Sequence, residues 1–140
     1  MIRVSFGVCN ARREFDRMIV LVCGGRDFTD RQLVFDTLDR VRSKYPDNLV
    51  VVHGAAKGAD LLAEEWCKSR QVMYVGVPAQ WDKYGKSAGM QRNRVMRDVW
   101  QPKACIAFKG GTGTRGMIKL MEEVGVKVWM VGWHGGSVTL

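Results

Sequence analysis

Three glycine-rich corners, GGRDF from Gly24, GAAKGAD from Gly54 and KGGTGT from Lys109, each follow a short apolar run. Such runs read as buried strands, and the segments between them carry helical spacing. Strands alternating with helices imply right-handed crossovers and a mostly parallel sheet covered on both faces. The three corners then emerge at one carboxyl edge, where open α/β folds take their ligands. Each corner also carries positive charge: Arg26, Lys57, and Lys109 with Arg115. Glycine lets backbone amides come close to an anion. The expected partner is therefore a phosphate-bearing small molecule.

The elements follow in regular order. Met18 to Cys23 is the first strong strand, and a helix is expected from about Asp30 to Lys44. Thr29 and Gln32 have the spacing of a capping box, and Leu33, Val34, Leu38 and Val41 share one face. Leu49 to Val52 is the second strand. A helix with Leu62, Trp66 and Cys67 along one side follows, then a third strand from Val72 to Val77. AQWDKYGK is the longest connection, leading to a helix from about Ser87 to Trp100 with Val95, Met96 and Val99 as core contacts. Ala104 to Phe108, a helix from Met117 to Val124, and Val126 to Val131 complete an open α/β sheet of about five strands.

Residues 1–17 read as an N-terminal extension, either an added edge strand or an ordered arm. The domain proper spans 18–134, and 135–140 form a glycine-rich tail. At 140 residues with 46% hydrophobic content, the chain can build one sizeable core. Its net charge of +8 favours anionic partners. Cys9, Cys23, Cys67 and Cys105 are too widely spaced for a zinc site or a disulfide framework, and reduced thiols are expected. The apolar part of MIRVSFGVCNARREF is too short for a signal peptide. No run approaches the ~18 apolar residues of a membrane span. A cytoplasmic protein without membrane contact is the expectation.

Gly111, Gly113 and Gly116 satisfy GxGxxG, but at the fourth strand rather than the first. The position twenty residues beyond Gly111 is Val131, where a dinucleotide site wants an acidic residue for the ribose. No Gly-Lys-Ser or Gly-Lys-Thr ends any corner, which removes a Walker loop.

Taken together, GGRDF, HGAAKGAD, QRNRVM before the fourth strand and GGTGT after it resemble the SLOG superfamily. The chain is most similar to its YspA-type, cpYpsA-related branch, single-domain Rossmann-like proteins frequent in bacterial and phage genomes. The resemblance spans roughly residues 18–131. It implies a nucleotide-derived ligand, such as an ADP-ribose or NAD-like molecule, at the carboxyl edge. The more distantly similar phosphoribohydrolases, known as lysine-decarboxylase-like proteins, carry PGGxGTxxE with a catalytic glutamate. Here Lys109 stands at the proline position and Met117 at the glutamate position. The cradle is retained without the acid, since a thioether cannot act as one. The resemblance also points to an arginine on the preceding helix, for which Arg92 or Arg94 is the counterpart.

The expected ligand-binding set is Gly24, Gly25 and Arg26; Gly54, Lys57, Gly58 and Asp60; Arg92, Asn93 and Arg94; and Gly110, Gly111, Thr112, Gly113 and Thr114. Thr112 and Thr114 suit phosphate oxygens. Asp27 and Asp60 are the candidate catalytic carboxylates. Asp60 could equally cap a helix, and Asp27 could pair with Arg26 or start an Asx turn. His53 could face the pocket or be a hydrogen-bonded structural residue. Trp81 and Tyr84 could stack on a base, cover the site, or meet a second subunit. Trp66, Trp100 and Trp129 sit at core spacings.

Three functions fit these residues. The first is a module that binds a nucleotide-derived ligand for sensing or sequestration. The second is a nucleotide N-glycosidase or phosphoribohydrolase using Asp27 or Asp60. The third is a single-stranded nucleic-acid binder, suggested by the charge and by the resemblance of SLOG proteins to the DNA-processing protein A fold. The chain lacks the long basic stripe interleaved with aromatics that such a binder uses. No cofactor is demanded; Asp27 or Asp60 could take a magnesium ion. A homodimer or larger homo-oligomer would bury the large aromatics.

Overall fold

The computed structural model describes residues 3–5 and 17–133. Cys9, most of the N-terminal extension and the 135–140 tail lie outside them. The elements are β1 (Arg3–Ser5), β2 (Met18–Cys23), α1 (Arg31–Lys44), β3 (Leu49–His53), α2 (Ala59–Arg70), β4 (Met73–Gly76), α3 (Trp81–Tyr84), α4 (Ala88–Asp98), β5 (Ala104–Phe108), α5 (Thr112–Glu123) and β6 (Lys127–Val131), with a 3₁₀ turn at Gly85–Ser87. They build a six-stranded sheet in the order β1-β4-β3-β2-β5-β6. Strands β2 to β6 are mutually parallel, and β1 joins β4 as an antiparallel edge.

The continuous apolar runs are strands covered on both faces. In β2, Val20 and Val22 pack toward α1 and α2, whereas Leu21 and Cys23 pack toward α4 and α5. Strand β5 alternates in the same way, with Ile106 on the first side and Cys105 on the second. Trp66 is fully buried on the α1–α2 side, and its indole N–H donates to Asp39 Oδ1 at 2.8 Å. The Arg70 guanidinium also binds Asp39, holding that carboxyl below the usual range. Trp100 and Trp129 are half-buried against the two cores, in packing roles. Just past β6, Trp133 is anchored by donating to the Ala107 carbonyl at 2.8 Å.

Several local expectations change. Helix α1 is capped by Asp30, which accepts from Leu33 N–H at 3.0 Å, and Gln32 bonds Asp36 instead of completing a box with Thr29. Asp30→Ala should therefore cost about 1 kcal/mol of stability in chemical denaturation, while Thr29→Ala should cost little. The AQWDKYGK connection contains a short helix, α3. In α4, Met96 is buried, but Val95 and Val99 face outward, with Val99 64% exposed. Ala88 and Asn93 complete the inner face instead. Helix α5 begins at Thr112, five residues before the expected start at Met117, so half of the last glycine-rich corner is helix.

Candidate functional site

The strand order creates a switch point at β2: the chain runs outward through β3 to β4, then returns to the other side for β5 and β6. Connections leave in opposite directions there, which opens a crevice at the carboxyl edge. The crevice is a cleft of about 460 Å³, within the range of small-molecule sites. The first corner contributes Gly24, Gly25 and Arg26, the second Ala56 and Asp60, and the third Gly111 through Thr114. The remaining wall is Trp81, Lys86, Gly89, Met90, Arg92, Asn93 and Met96, with Cys23 and Met117 beneath.

Direct contacts lock the corners together. Gly25 N–H donates to the Lys109 carbonyl at 2.9 Å, and Ala59 N–H donates to the Gly25 carbonyl at 3.2 Å. A β-carbon on Gly24 would stand 2.5 Å from that of Ala59, so this glycine sets how closely α2 approaches β2. Helix α4 ties in the other two corners. Arg92 Nη1 donates to the Gly54 carbonyl, and Asn93 Nδ2 donates to the Gly113 carbonyl at 3.4 Å. Asn93 Oδ1 accepts from Arg92 Nε at 2.9 Å, which explains how a buried amide fits a polar helix.

These contacts make the corners chemically unlike one another. In the second, the amides of its first three residues are already taken. Gly54 and Ala56 N–H donate to Asp60 Oδ2 at 3.0 and 3.3 Å, and Ala55 N–H donates to His53 Nδ1 at 2.9 Å. Asp60 thus reaches back into its corner rather than capping α2, whose N-cap is Gly58. What this corner brings to the cleft is a carboxylate: Asp60 is part of the lining, and its Oδ1 is buried with no hydrogen-bond partner. Burial raises the Asp60 carboxyl to about 6, against the opposing pull of Arg92 and the two amides. Burial likewise lowers the Arg92 guanidinium.

The third corner leaves amides free of helical partners. Arg115 N–H takes the Gly111 carbonyl as the first helical bond, so the N–H groups of Thr112, Gly113 and Thr114 have no partner within the helix. They carry the positive end of the α5 dipole into the cleft. A β-carbon on Gly111 or Gly113 would meet nothing within 4 Å, so the space above this turn is open. Gly110 differs: its β-carbon position is already occupied by Thr114.

Not every expected residue joins the cleft. Asp27 lies on the other side of the first corner, in a separate depression with Lys109, Gly110 and Gly111. Arg26 lines the cleft and Asp27 does not, although they are neighbours in the turn. Lys57 and Arg94 are exposed and outside the lining, whereas Gly54 and Gly58 shape it through the backbone. His53 is fully buried with Nε2 3.1 Å from Glu64 Oε1. With Nδ1 accepting, Nε2 carries the proton toward that carboxylate, which supports the corner from beneath. Tyr84 lines a separate small pocket with Pro78 and Val95. Lys86 and Met90 join the wall without any motif to mark them, and Met96, the last residue of QRNRVM, joins it as well as the core. Among the described residues, no group of three or more His, Cys, Asp or Glu side chains could hold a metal. No helix among them is long and apolar enough to cross a membrane.

The family model described as YspA, cpYpsA-related SLOG matches residues 18–84, which include the first two corners and Trp81. The Gene 61 protein of Mycobacterium phage D29 is 38% identical over 120 residues, 78% of this chain and 92% of that protein. No solved structure matches the chain. With its corner motifs on a parallel switch-point sheet and a relative aligned over nearly its full length, the chain belongs to the YspA, cpYpsA-related SLOG family.

Proposed function

We propose that the cleft binds a nucleotide-derived, phosphate-bearing small molecule, such as an ADP-ribose or NAD-like ligand, for sensing or sequestration. Membership of the family carries a nucleotide-related binding or processing role. The observation behind the finer reading is one cleft with two opposite polarities. The first turn of α5, with Arg26, Lys86 and Arg92, suits phosphate, while the unpartnered Asp60 Oδ1 suits a hydroxyl or N–H donor. A molecule bearing both groups satisfies both ends; inorganic phosphate satisfies one.

Thermal shift with mononucleotides, dinucleotides, ADP-ribose and cyclic nucleotides tests this reading, alongside mass spectrometry of ligand released from the purified native protein. A ligand present at 100 times its Kd stabilises by about 2.7 kcal/mol, a readily measured shift. Gly111→Asp should abolish the response and leave the ligand-free melting temperature unchanged or slightly raised. A carboxylate at the N-cap of α5 suits the helix but competes with phosphate. No response to any of these compounds, and none co-purifying, overturns the proposal.

A second reading draws on the Asp60 carboxyl at about 6, because a buried acid near neutrality in a cleft suits proton transfer. Asp60 would then assist N-glycosidic cleavage where Met117 cannot. Release of free base from a nucleoside monophosphate, lost in Asp60→Asn, would favour it over binding alone.

A further inference from the structure

The cleft has a third component that neither phosphate nor a hydrogen-bond donor explains. Trp81, the first residue of α3, is 47% exposed at the cleft wall. A β-carbon on Gly89 would lie 3.6 Å from Trp81 Cη2, so the indole rests over the start of α4. Arg26 Cζ sits 5.3 Å from its ring centroid. The indole is thus placed by α4 and Arg26 while about half of it stays open to the cleft and solvent. The apolar lining of the same cleft is sulfur-rich: Cys23, Met90, Met96 and Met117. Met96 and Met117 are almost fully buried, so their thioethers form a fixed floor, while Met90 is 41% exposed at the rim. Thioethers and indole are polarisable surfaces that attract aromatic rings and offer little to a sugar or a phosphate.

We infer that Trp81 and the Met90–Met96–Met117 surface form a slot for a planar heterocyclic ring, making Trp81 the residue that distinguishes a base-bearing nucleotide from a sugar phosphate. This deepens the reading above and rests on it. The phosphate sits at α5, the donor group meets Asp60, and the ring occupies the remaining apolar wall. Met117 therefore has a use of its own: where an acid would put charge, it extends the apolar floor.

Calorimetric titration of AMP, ADP-ribose and ribose 5-phosphate into the wild type, Trp81→Ala and Trp81→Phe tests the slot. The wild type should bind at least one of the two base-bearing compounds more tightly than ribose 5-phosphate. Trp81→Ala should weaken that compound by about tenfold or more, the scale of base–aromatic stacking, and leave ribose 5-phosphate unchanged. Trp81→Phe should retain most of the affinity. Melting curves check folding, which an exposed side chain should not disturb. Equal weakening of base-bearing and base-free compounds, or no weakening, overturns the slot. So does a wild type that binds ribose 5-phosphate as tightly as the nucleotides, which leaves the phosphate site standing. A wild type that binds none of the three defeats the slot, and the broader ligand panel then decides whether the site reading falls with it.

Discussion

Asp60→Asn is expected to make the ligand-free protein more stable at pH 7.5 while abolishing its response to ligand. The Asp60 carboxyl titrates near 6 in the folded protein, against about 3.9 in an unfolded chain. A raised carboxyl pKa means that the folded state holds its proton more firmly. The penalty is absent below about pH 4, grows through the interval up to about 6, and is complete above it. Two units correspond to about 3 kcal/mol. The amide removes the charge but donates from one end and accepts less strongly at the other, so a gain of about 1–3 kcal/mol is expected, or roughly 5 °C in melting temperature. Melting curves at pH 7.5 and pH 4 check the sign, because the advantage should vanish in acid. A variant less stable than the wild type at pH 7.5 would instead make Asp60 chiefly a clamp for Gly54 and Ala56. A buried acceptor kept charged at a stability cost is what a binding group at this position would require.

Gly58→Ala is expected to be among the most damaging single substitutions in the chain, at about 3 kcal/mol or more. Gly58 has φ +82°, where a β-carbon is strained, and that atom would collide with the Gly25 carbonyl oxygen and crowd the Arg26 carbonyl. Relief requires separating the first and second corners, which carry Arg26 and Asp60. Gly111→Ala provides the contrast, since its added methyl meets nothing within 4 Å. Chemical denaturation should show a large loss for the first and only the N-cap cost of alanine, about 1 kcal/mol or less, for the second.

The sheet was legible because its strands are buried on both faces. Met18 to Cys23 and Ala104 to Phe108 are uninterrupted apolar runs, and both strands have the expected bounds. Elements defined by other means were harder to read. Helix α3 is four residues long, too short for any period to show. The start of α5 was hidden because Thr-Gly-Thr has the composition of a loop; the first turn tolerates it because those amides need no helical acceptor. In α4 the apolar residues do not mark the inner face, since Asn93 is buried by its bonds to Arg92 and Gly113 while Val99 is left outside.

The site was visible as a set of corners and not as a division of labour. Glycine strings look alike, yet Gly110 is occupied by its own helix and Gly111 stands clear. Nothing in GAAKGAD announces that Asp60 will turn back onto Gly54 and Ala56, and so consume the amides that suggested an anion site. Likewise, Arg26 and Asp27 are neighbours in the chain that the corner sends to different sides. Those distinctions arise from local backbone geometry, which decides where residues only a few positions apart meet and which composition alone does not reveal.

The strand order has one more effect. Strand β4 is separated from β5 by β3 and β2. The chain leaving the carboxyl end of β4 must therefore traverse three interstrand gaps, about 14 Å, before it can enter β5. Connectivity itself thus requires a span of polypeptide beside the crevice, and α3 with the start of α4 is that span. Because the span is made of short helical pieces rather than strands, its residues can change without disturbing the pairing of the sheet. Side chains along the bridge from Trp81 to Met90 can therefore be replaced while the parallel scaffold stays the same.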